Sequence, residues 1–299
     1  MTSTPINRPI VGGLWMLGAV ASFAGMQIAG RELSGGYDAV AILVYRSLVG
    51  LVLIAPIALA FGGLTNFRTR RPFGHLTRNI VHFAGQYGWF YGIAHLTMAD
   101  VTALSSVTPI FGVLMAVAFL GERLTWPRAM VIGCGFLGVL IVVRPGVIPL
   151  EAAAGITVFG ALCYAISITM VKALTASEPP LRIVFFMMAL QTVIAVALTG
   201  GDLPMPSDGD WPWIVLVGVG GLAAHYCMAR AVSVADASVV MPVNFLQLPA
   251  MALAGLLLYA EHIDPYTLAG GALILAATYL NIAWSRRRAQ AAARAKPGG

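Results

Sequence analysis

Apolar residues along this chain neither alternate with polar ones nor recur on one helical face. They run together in blocks of about twenty, bounded by charges or by Gly and Pro. A block of that length matches an α-helix tilted across roughly 30 Å of hydrocarbon, and the lack of strict alternation argues against the strands of a membrane barrel. Ten spans are predicted. The first half gives Pro9 to Gly30, Asp38 to Ala60, Ile80 to Leu96, Val101 to Leu120 and Trp126 to Val143. The second gives Ala152 to Leu174, Leu181 to Thr199, Trp211 to Ala229, Ala237 to Tyr259 and Pro265 to Trp284. The expected fold class is an all-α integral membrane protein of ten transmembrane helices. Met1 to Asn7 carry no basic cluster, and the first apolar run is too long for a cleavable signal core, so this end is expected to be retained.

Composition narrows the picture. Of 299 residues 59% are hydrophobic and 10% charged, against about 45 to 50% apolar and about 25% charged in a soluble domain. Lipid must serve as solvent. Ten helices take about 200 residues and leave about 99 for connections and ends, too few for a separate catalytic domain. With the N-terminus placed inside and sides alternating at each span, 15 of the 18 Lys and Arg fall inside, among them Arg78, Arg182, Arg230 and Arg286 to Arg288. Arg31 and Arg144 fall outside and Arg46 within the second span, while nine of the 12 acids, Asp202, Asp208 and Asp210 among them, lie outside. This positive-inside bias predicts cytoplasmic ends and accounts for the net charge of +6 with no nucleic acid as partner. Arg286 to Arg288 read as a stop-transfer cluster or as an anionic-lipid site.

The two halves repeat each other. Gly13 to Ala19 aligns with Gly155 to Ala161, Tyr91 to His95 with Tyr226 to Arg230, and Ala99-Asp100 with Ala235-Asp236. Glu122, Pro127 and Gly133 align with Glu261, Pro265 and Gly271. Five spans is an odd number, so the second repeat must sit inverted, as in carriers that alternate access around a midplane site. The expected division is a first five-helix repeat over 9–145, an inverted repeat over 151–285 and a basic cytoplasmic tail over 286–299.

On these residues the chain resembles the drug/metabolite transporter superfamily, in its ten-helix branch of two EamA-type repeats. The resemblance covers Gly12 to about Trp284. It is most specific over Ala103 to Arg123, which runs Ala-Leu-Ser-Ser-Val-Thr-Pro-Ile-Phe and ends Leu-Gly-Glu-Arg. The second copy, from Ala235-Asp236-Ala237-Ser238 through Pro242 to Glu261, carries Ala260 where the family pattern has Gly, which weakens the case for a left-handed backbone there. The resemblance implies export across the bacterial inner membrane of amino acids, other metabolites or toxic compounds, with exporters of aromatic and other neutral amino acids the nearest in character.

Polar groups within the spans supply the candidate site. His82, Gln86, Trp89 and Phe90 share one face of the third span. Polar groups facing lipid are costly, so this face is expected to look inward, lining a cavity for an amphipathic substrate or bonding neighbouring helices. Tyr87 and Tyr91 lie on an adjoining face. Arg46, at depth in the second span, has two open readings: it meets a substrate carboxylate, or it is structural, snorkelling outward or holding helix-end carbonyls and an outer acid such as Asp100. Pro109 in the fourth span, and Pro242 and Pro249 in the ninth, are expected to kink their helices as hinges or static bends, freeing the carbonyls of Ser105, Ser238 and Phe245. Ser105, Ser106 and Thr108, with Asn244 and Gln247 in the matching span, offer polar atoms near midplane depth.

Other chemistries fall away. Gly133 to Gly138 fits G-x-G-x-x-G but follows no strand and sits inside an apolar span, so close helix packing explains it. Two lysines and no Walker A loop exclude ATP as the direct energy source. Cys134, Cys163 and Cys227 show no metal spacing, and no cofactor is expected. An intramembrane enzyme would need an acid pair, a metal cluster or a nucleophile beside a base, and none is visible. The leading expectation is a secondary transporter for small neutral or zwitterionic metabolites; an exporter of drugs or other metabolites, a channel and a scaffold are the alternatives. Asp100, Glu122, Asp236 and Glu261 flank spans, leaving His82 and His225 as titratable groups inside, so facilitation without obligatory proton coupling is expected at least as much as antiport.

Overall fold

The computed structural model describes residues 9–119, 126–144, 152–174, 177–234, 241–262 and 264–294. Helices α1 (Pro9–Leu33), α2 (Ala39–Gly62), α3 (Pro72–His95), α4 (Met98–Ser105), α5 (Thr108–Phe119) and α6 (Trp126–Val143) form the first half. The second half has α7 (Ala152–Leu174), α8 (Pro180–Leu198), α9 (Trp211–Val234), α10 (Gln247–Tyr259) and α11 (Pro265–Arg294). Short 3-10 turns cover Gly63–Phe67 and Met241–Leu246. Large apolar side chains such as Leu14, Val52, Leu140, Val193, Leu257 and Leu280 stand exposed around the bundle, as lipid-facing positions must.

The packing has the symmetry that inverted repeats require. α1 lies along α9 and α3 along α7, while α2 meets α8, α4 meets α10 and α6 meets α11. Each contact is either reciprocal or between equivalent spans, the pattern of a pseudo-twofold axis. Glycines permit it. A Cβ on Gly88 of α3 would stand 2.6 Å from the Ile156 carbonyl oxygen of α7, and one on Gly160 2.9 Å from the Gly85 oxygen. Gly138, the last glycine of the G-x-G-x-x-G run, abuts the Gly270 oxygen of α11, where a Cβ would come within 2.7 Å. Those glycines serve close helix packing.

Four spans depart from expectation. The third starts eight residues early, at Pro72 rather than Ile80, because Pro is at ease in a first turn and the polar side chains that follow are buried against other helices. The fourth is broken rather than kinked. α4 ends at Ser105, α5 begins at Thr108, and Pro109 falls in the first turn of α5, where its missing N–H costs no helix bond. The Ser105 carbonyl is satisfied by the Thr108 hydroxyl at 2.7 Å. The ninth span is interrupted likewise: Pro242 is in the 3-10 turn and Pro249 is the third residue of α10. Ser238, with Asp236 and Glu122, lies outside the described residues. α11 continues as helix through Arg294, past the expected end of the last span.

Ala260 does adopt the left-handed conformation, at φ 52°, ψ 28°. The Ala260 N–H and the Glu261 N–H both reach back to the Gly255 oxygen, the latter at 3.0 Å, closing the last turn of α10. That turn aims Glu261 at the first repeat.

Candidate functional site

Arg78, His82 and Gln86 follow one another at four-residue steps on α3, and all three are buried. Two helices of the first repeat and three of the second converge on this stripe. Arg46, the eighth residue of α2 and about 12 Å from its end by helix rise, is 1% exposed. With its amide oxygen turned to the guanidinium, the orientation the surrounding donors select, Gln86 accepts from Arg46 Nη1 at 2.8 Å and Nη2 at 3.0 Å. Its nitrogen donates to Gln191 Oε1 of α8 at 2.5 Å, and Arg46 Nη1 also reaches that oxygen at 3.5 Å. Gly221 of α9 makes room, since a Cβ there would be 2.8 Å from Arg46 Nε.

Below this pair, His82 Nδ1 lies 3.2 Å from the Ser167 hydroxyl of α7. Its ring meets Tyr164 edge-on at 5.2 Å and His225 of α9 at 6.1 Å. Phe23 of α1 covers the far side of His225 at 5.8 Å. Arg78 donates to Asn79 Oδ1 at 3.0 Å. The centre is therefore a polar cluster walled by rings, within a bundle whose exterior is apolar.

Its electrostatics are one-sided. Among the described residues no carboxylate pairs with Arg46 or Arg78; the ion pairs there are Arg31–Glu261, Arg144–Asp264 and Arg182–Glu178, all near helix ends. A guanidinium cannot shed its charge at physiological pH, and burying one without a counterion is costly. Arg46 Nε, Arg78 Nε and Gln191 Nε2 are buried donors without an acceptor. No group of three or more His, Cys, Asp or Glu among the described residues is placed to hold a metal.

The structure brings Arg46, His82 and Gln86 together. Arg46 neither snorkels outward nor meets Asp100, whose carboxylate accepts instead from Thr97 at 2.7 Å and from Thr267. Trp89 and Phe90 are buried nearby, edge to face at 5.1 Å, but Phe90 packs on Gly30 of α1 as core. Asn244 and Gln247 are half-buried around the break in the ninth span, beside α1, and bond to none of the Arg46 cluster. Asn244 Oδ1 has no partner. A crevice of about 360 Å³, lined by Arg70, Arg71, Phe73, Gly74, Met170 and Leu174, shares no residue with the cluster.

Sequence reasoning missed Arg78, Gln191, Tyr164 and Ser167, and treated His225 only as a titratable group. A span boundary at Ile80 leaves Arg78 in an inner loop. Continuing the stripe four residues back from His82 would have found it. Gln191 is the only amide in the apolar run of α8, which is itself a signal of an inward polar face.

Two ties fix the helix ends around the centre. Glu178, buried before α8, would be raised by that burial, but hydrogen bonds from Thr69, Arg182 and the Arg70 N–H hold it below the usual carboxylate range. At the opposite end Tyr37 donates to Asp210 at 2.7 Å, and burial together with that carboxylate pushes the phenol up to about 12.

Residues 10–144 and 152–283 each match the model of the EamA-like transporter family, one match per repeat. A Rickettsia conorii protein named S-adenosylmethionine uptake transporter is 24% identical over 92% of this chain and 93% of its own. A riboflavin transporter of Rhizobium johnstonii is 30% identical over 91% of each. A pseudopaline exporter of Pseudomonas aeruginosa is 29% identical over 88% of this chain and 93% of its own. A solved crystal structure at 17% identity superimposes with a TM-score of 0.64 over 92% of this chain and 98% of that one, showing the same fold. The chain is a multi-pass membrane transporter of small metabolites and belongs to the EamA-like transporter family of the drug/metabolite transporter superfamily.

Proposed function

We propose that the protein is a secondary transporter working by alternating access, with its substrate seated at Arg46, Gln86, Gln191, His82 and His225. The repeats over 9–145 and 151–285 are the moving halves, and 286–299 is a basic cytoplasmic tail. One observation carries the reading. The buried polar cluster is built from α2 and α3 of one repeat and α7, α8 and α9 of the other, so any rocking of the halves opens and closes it. Tyr164, Phe23 and Trp89 beside it suit an amphipathic molecule with an apolar body and a polar head. Amino acids, aromatic ones included, exported across the bacterial inner membrane are the form of this reading that the family resemblance supports. Relatives named for uptake and for export both occur, so direction is part of the proposal, as is the cytoplasmic placement of both ends.

Counterflow in reconstituted vesicles tests it. Counterflow is run against a panel of amino acids, their deaminated acids and a few cationic drugs, and for the true substrate class preloading is expected to accelerate labelled uptake with saturation; linear, unsaturable flux would mark a channel. Gln86→Ala and Trp89→Ala are expected to lower flux at unchanged expression, and parental rates in both would remove this face as the pocket. Flux is expected to persist when the proton gradient is collapsed, because among the described residues no carboxylate borders the cluster.

A further inference from the structure

The unbalanced charge of the polar centre points to the substrate's own charge, given the transport reading above. Arg46 and Arg78 are 1% and 5% exposed, lie within electrostatic reach of each other, and have no carboxylate partner among the described residues. Three buried N–H groups, on Arg46, Arg78 and Gln191, await acceptors. A site with surplus donors and two fixed positive charges is completed by a ligand that brings acceptors and a negative charge.

The geometry at Arg46 shows where that charge fits. A single amide oxygen, from Gln86, now spans the guanidinium fork at 2.8 and 3.0 Å. A carboxylate meets the same fork with two oxygens and a full charge, and so outcompetes a neutral amide for it. Gln86 is also bonded to Gln191, so it can swing aside and keep that partner. An ammonium in the same place would face two guanidiniums.

We propose that the transported species is an organic anion, a carboxylate on an apolar or aromatic body, displacing the Gln86 amide from the Arg46 guanidinium with Arg78 as the second positive charge, and that an amino group on the substrate is a hindrance. This supplies a driving force without a proton relay. A negatively charged substrate moving uncoupled is driven outward by an inside-negative membrane potential, in keeping with export and with the lack of a carboxylate at the centre among the described residues.

Solid-supported-membrane currents from vesicles containing the full chain test this directly, because passive leakage of a neutral acid is electrically silent. The probes are matched sets on phenyl, indole and branched aliphatic bodies: the plain carboxylic acid, the amino acid and the amine. Carboxylates are expected to carry negative charge across and, because a zwitterion is electrically silent, to be compared with their amino acids by counterflow, exchanging at least about tenfold faster, while amines give neither current nor exchange. Arg46→Gln is expected to abolish the currents while leaving the thermal midpoint at or above the parent's, since it removes a buried uncompensated charge. Arg46→Lys, which keeps the charge but loses the fork, is expected to retain a reduced current. Arg78→Gln serves in the same role where the Arg46 variant does not assemble. Amino acids equalling or exceeding their deaminated acids in counterflow, or an Arg46→Gln protein with parental currents, would overturn the anion assignment alone. Silence towards every probe, with counterflow absent as well, would overturn the transport reading beneath it.

Discussion

Glu261 and Arg31, 230 residues apart, form an ion pair at 3.0 Å that joins the end of α10 to the end of α1. The second carboxylate oxygen of Glu261 accepts the Met98 N–H at 2.8 Å, capping the first turn of α4. Arg31 also donates to the Leu96 carbonyl at 3.0 Å, so four chain segments meet on two side chains. Both are largely shielded, at 24% and 11% side-chain exposure, which makes the tie stronger than a free surface pair. Glu261→Gln keeps the cap acceptor and loses the charge. It is expected to destabilise the detergent-solubilised protein by about 1 to 2 kcal/mol, and Glu261→Ala by more, in a thermal-shift measurement. An unchanged midpoint in both would show that the end is held by packing alone.

Gly88 is fixed by its contact with backbone. A methyl group there would meet the Ile156 carbonyl at 2.6 Å, and neither helix can yield without separating. Gly50 makes a useful control: its added Cβ would also fall 2.6 Å from a neighbour, but that neighbour is the sulfur of the Met188 side chain, which can rotate away. Gly88→Ala is expected to cost about 2 kcal/mol or more, and Gly50→Ala under about 1 kcal/mol, by thermal midpoint of the purified proteins.

Ala260 carries a left-handed backbone that glycine adopts without strain. Ala260→Gly is expected to stabilise the protein by up to about 1 kcal/mol, with the loop otherwise unchanged. A lower midpoint would mean that the methyl group packs usefully enough to offset the strain.

Glu178 gives a pH test with a definite sign. Hydrogen bonds to its charged form overcome the burial that would raise it, so its folded-state pKa lies below the ordinary 4.5. A depressed carboxyl contributes stability that is present above its unfolded value and is lost as pH falls through its folded value. The stability gap between the parent and Glu178→Gln is expected to be constant from pH 7 to about 5.5 and to close as pH drops below 4.5. A gap that persists at acid pH would assign the effect to shape rather than charge.

Much of the architecture was legible in one dimension. Burying an unbroken run of apolar residues in lipid needs no partner, so the spans from Pro9, Asp38, Ala152 and Trp211 are close to the helices formed. The repeat was legible because both copies keep the same small and turn-forming residues, as at Gly13 and Gly155. The site was half legible. His82, Gln86 and Arg46 stood out as polar groups where lipid forbids them, but Arg78 was lost because hydropathy ends a span at a charge, whereas a folded bundle can bury that charge among its own helices.

The sequence alone determined the solvent, the helical class, the two copies and the kind of side chain lipid would exclude, since each depends on local composition and on the energetics of an unpaired backbone in hydrocarbon. Only the tertiary structure decided that the fourth span breaks and the ninth is interrupted rather than merely kinked, and that Arg46 meets Gln86 and Gln191 in place of an acid. It also decided that Ala260 turns left-handed to deliver Glu261 to Arg31. Those outcomes depend on which donors and acceptors arrive from distant helices, and a linear pattern of hydropathy carries no record of that pairing.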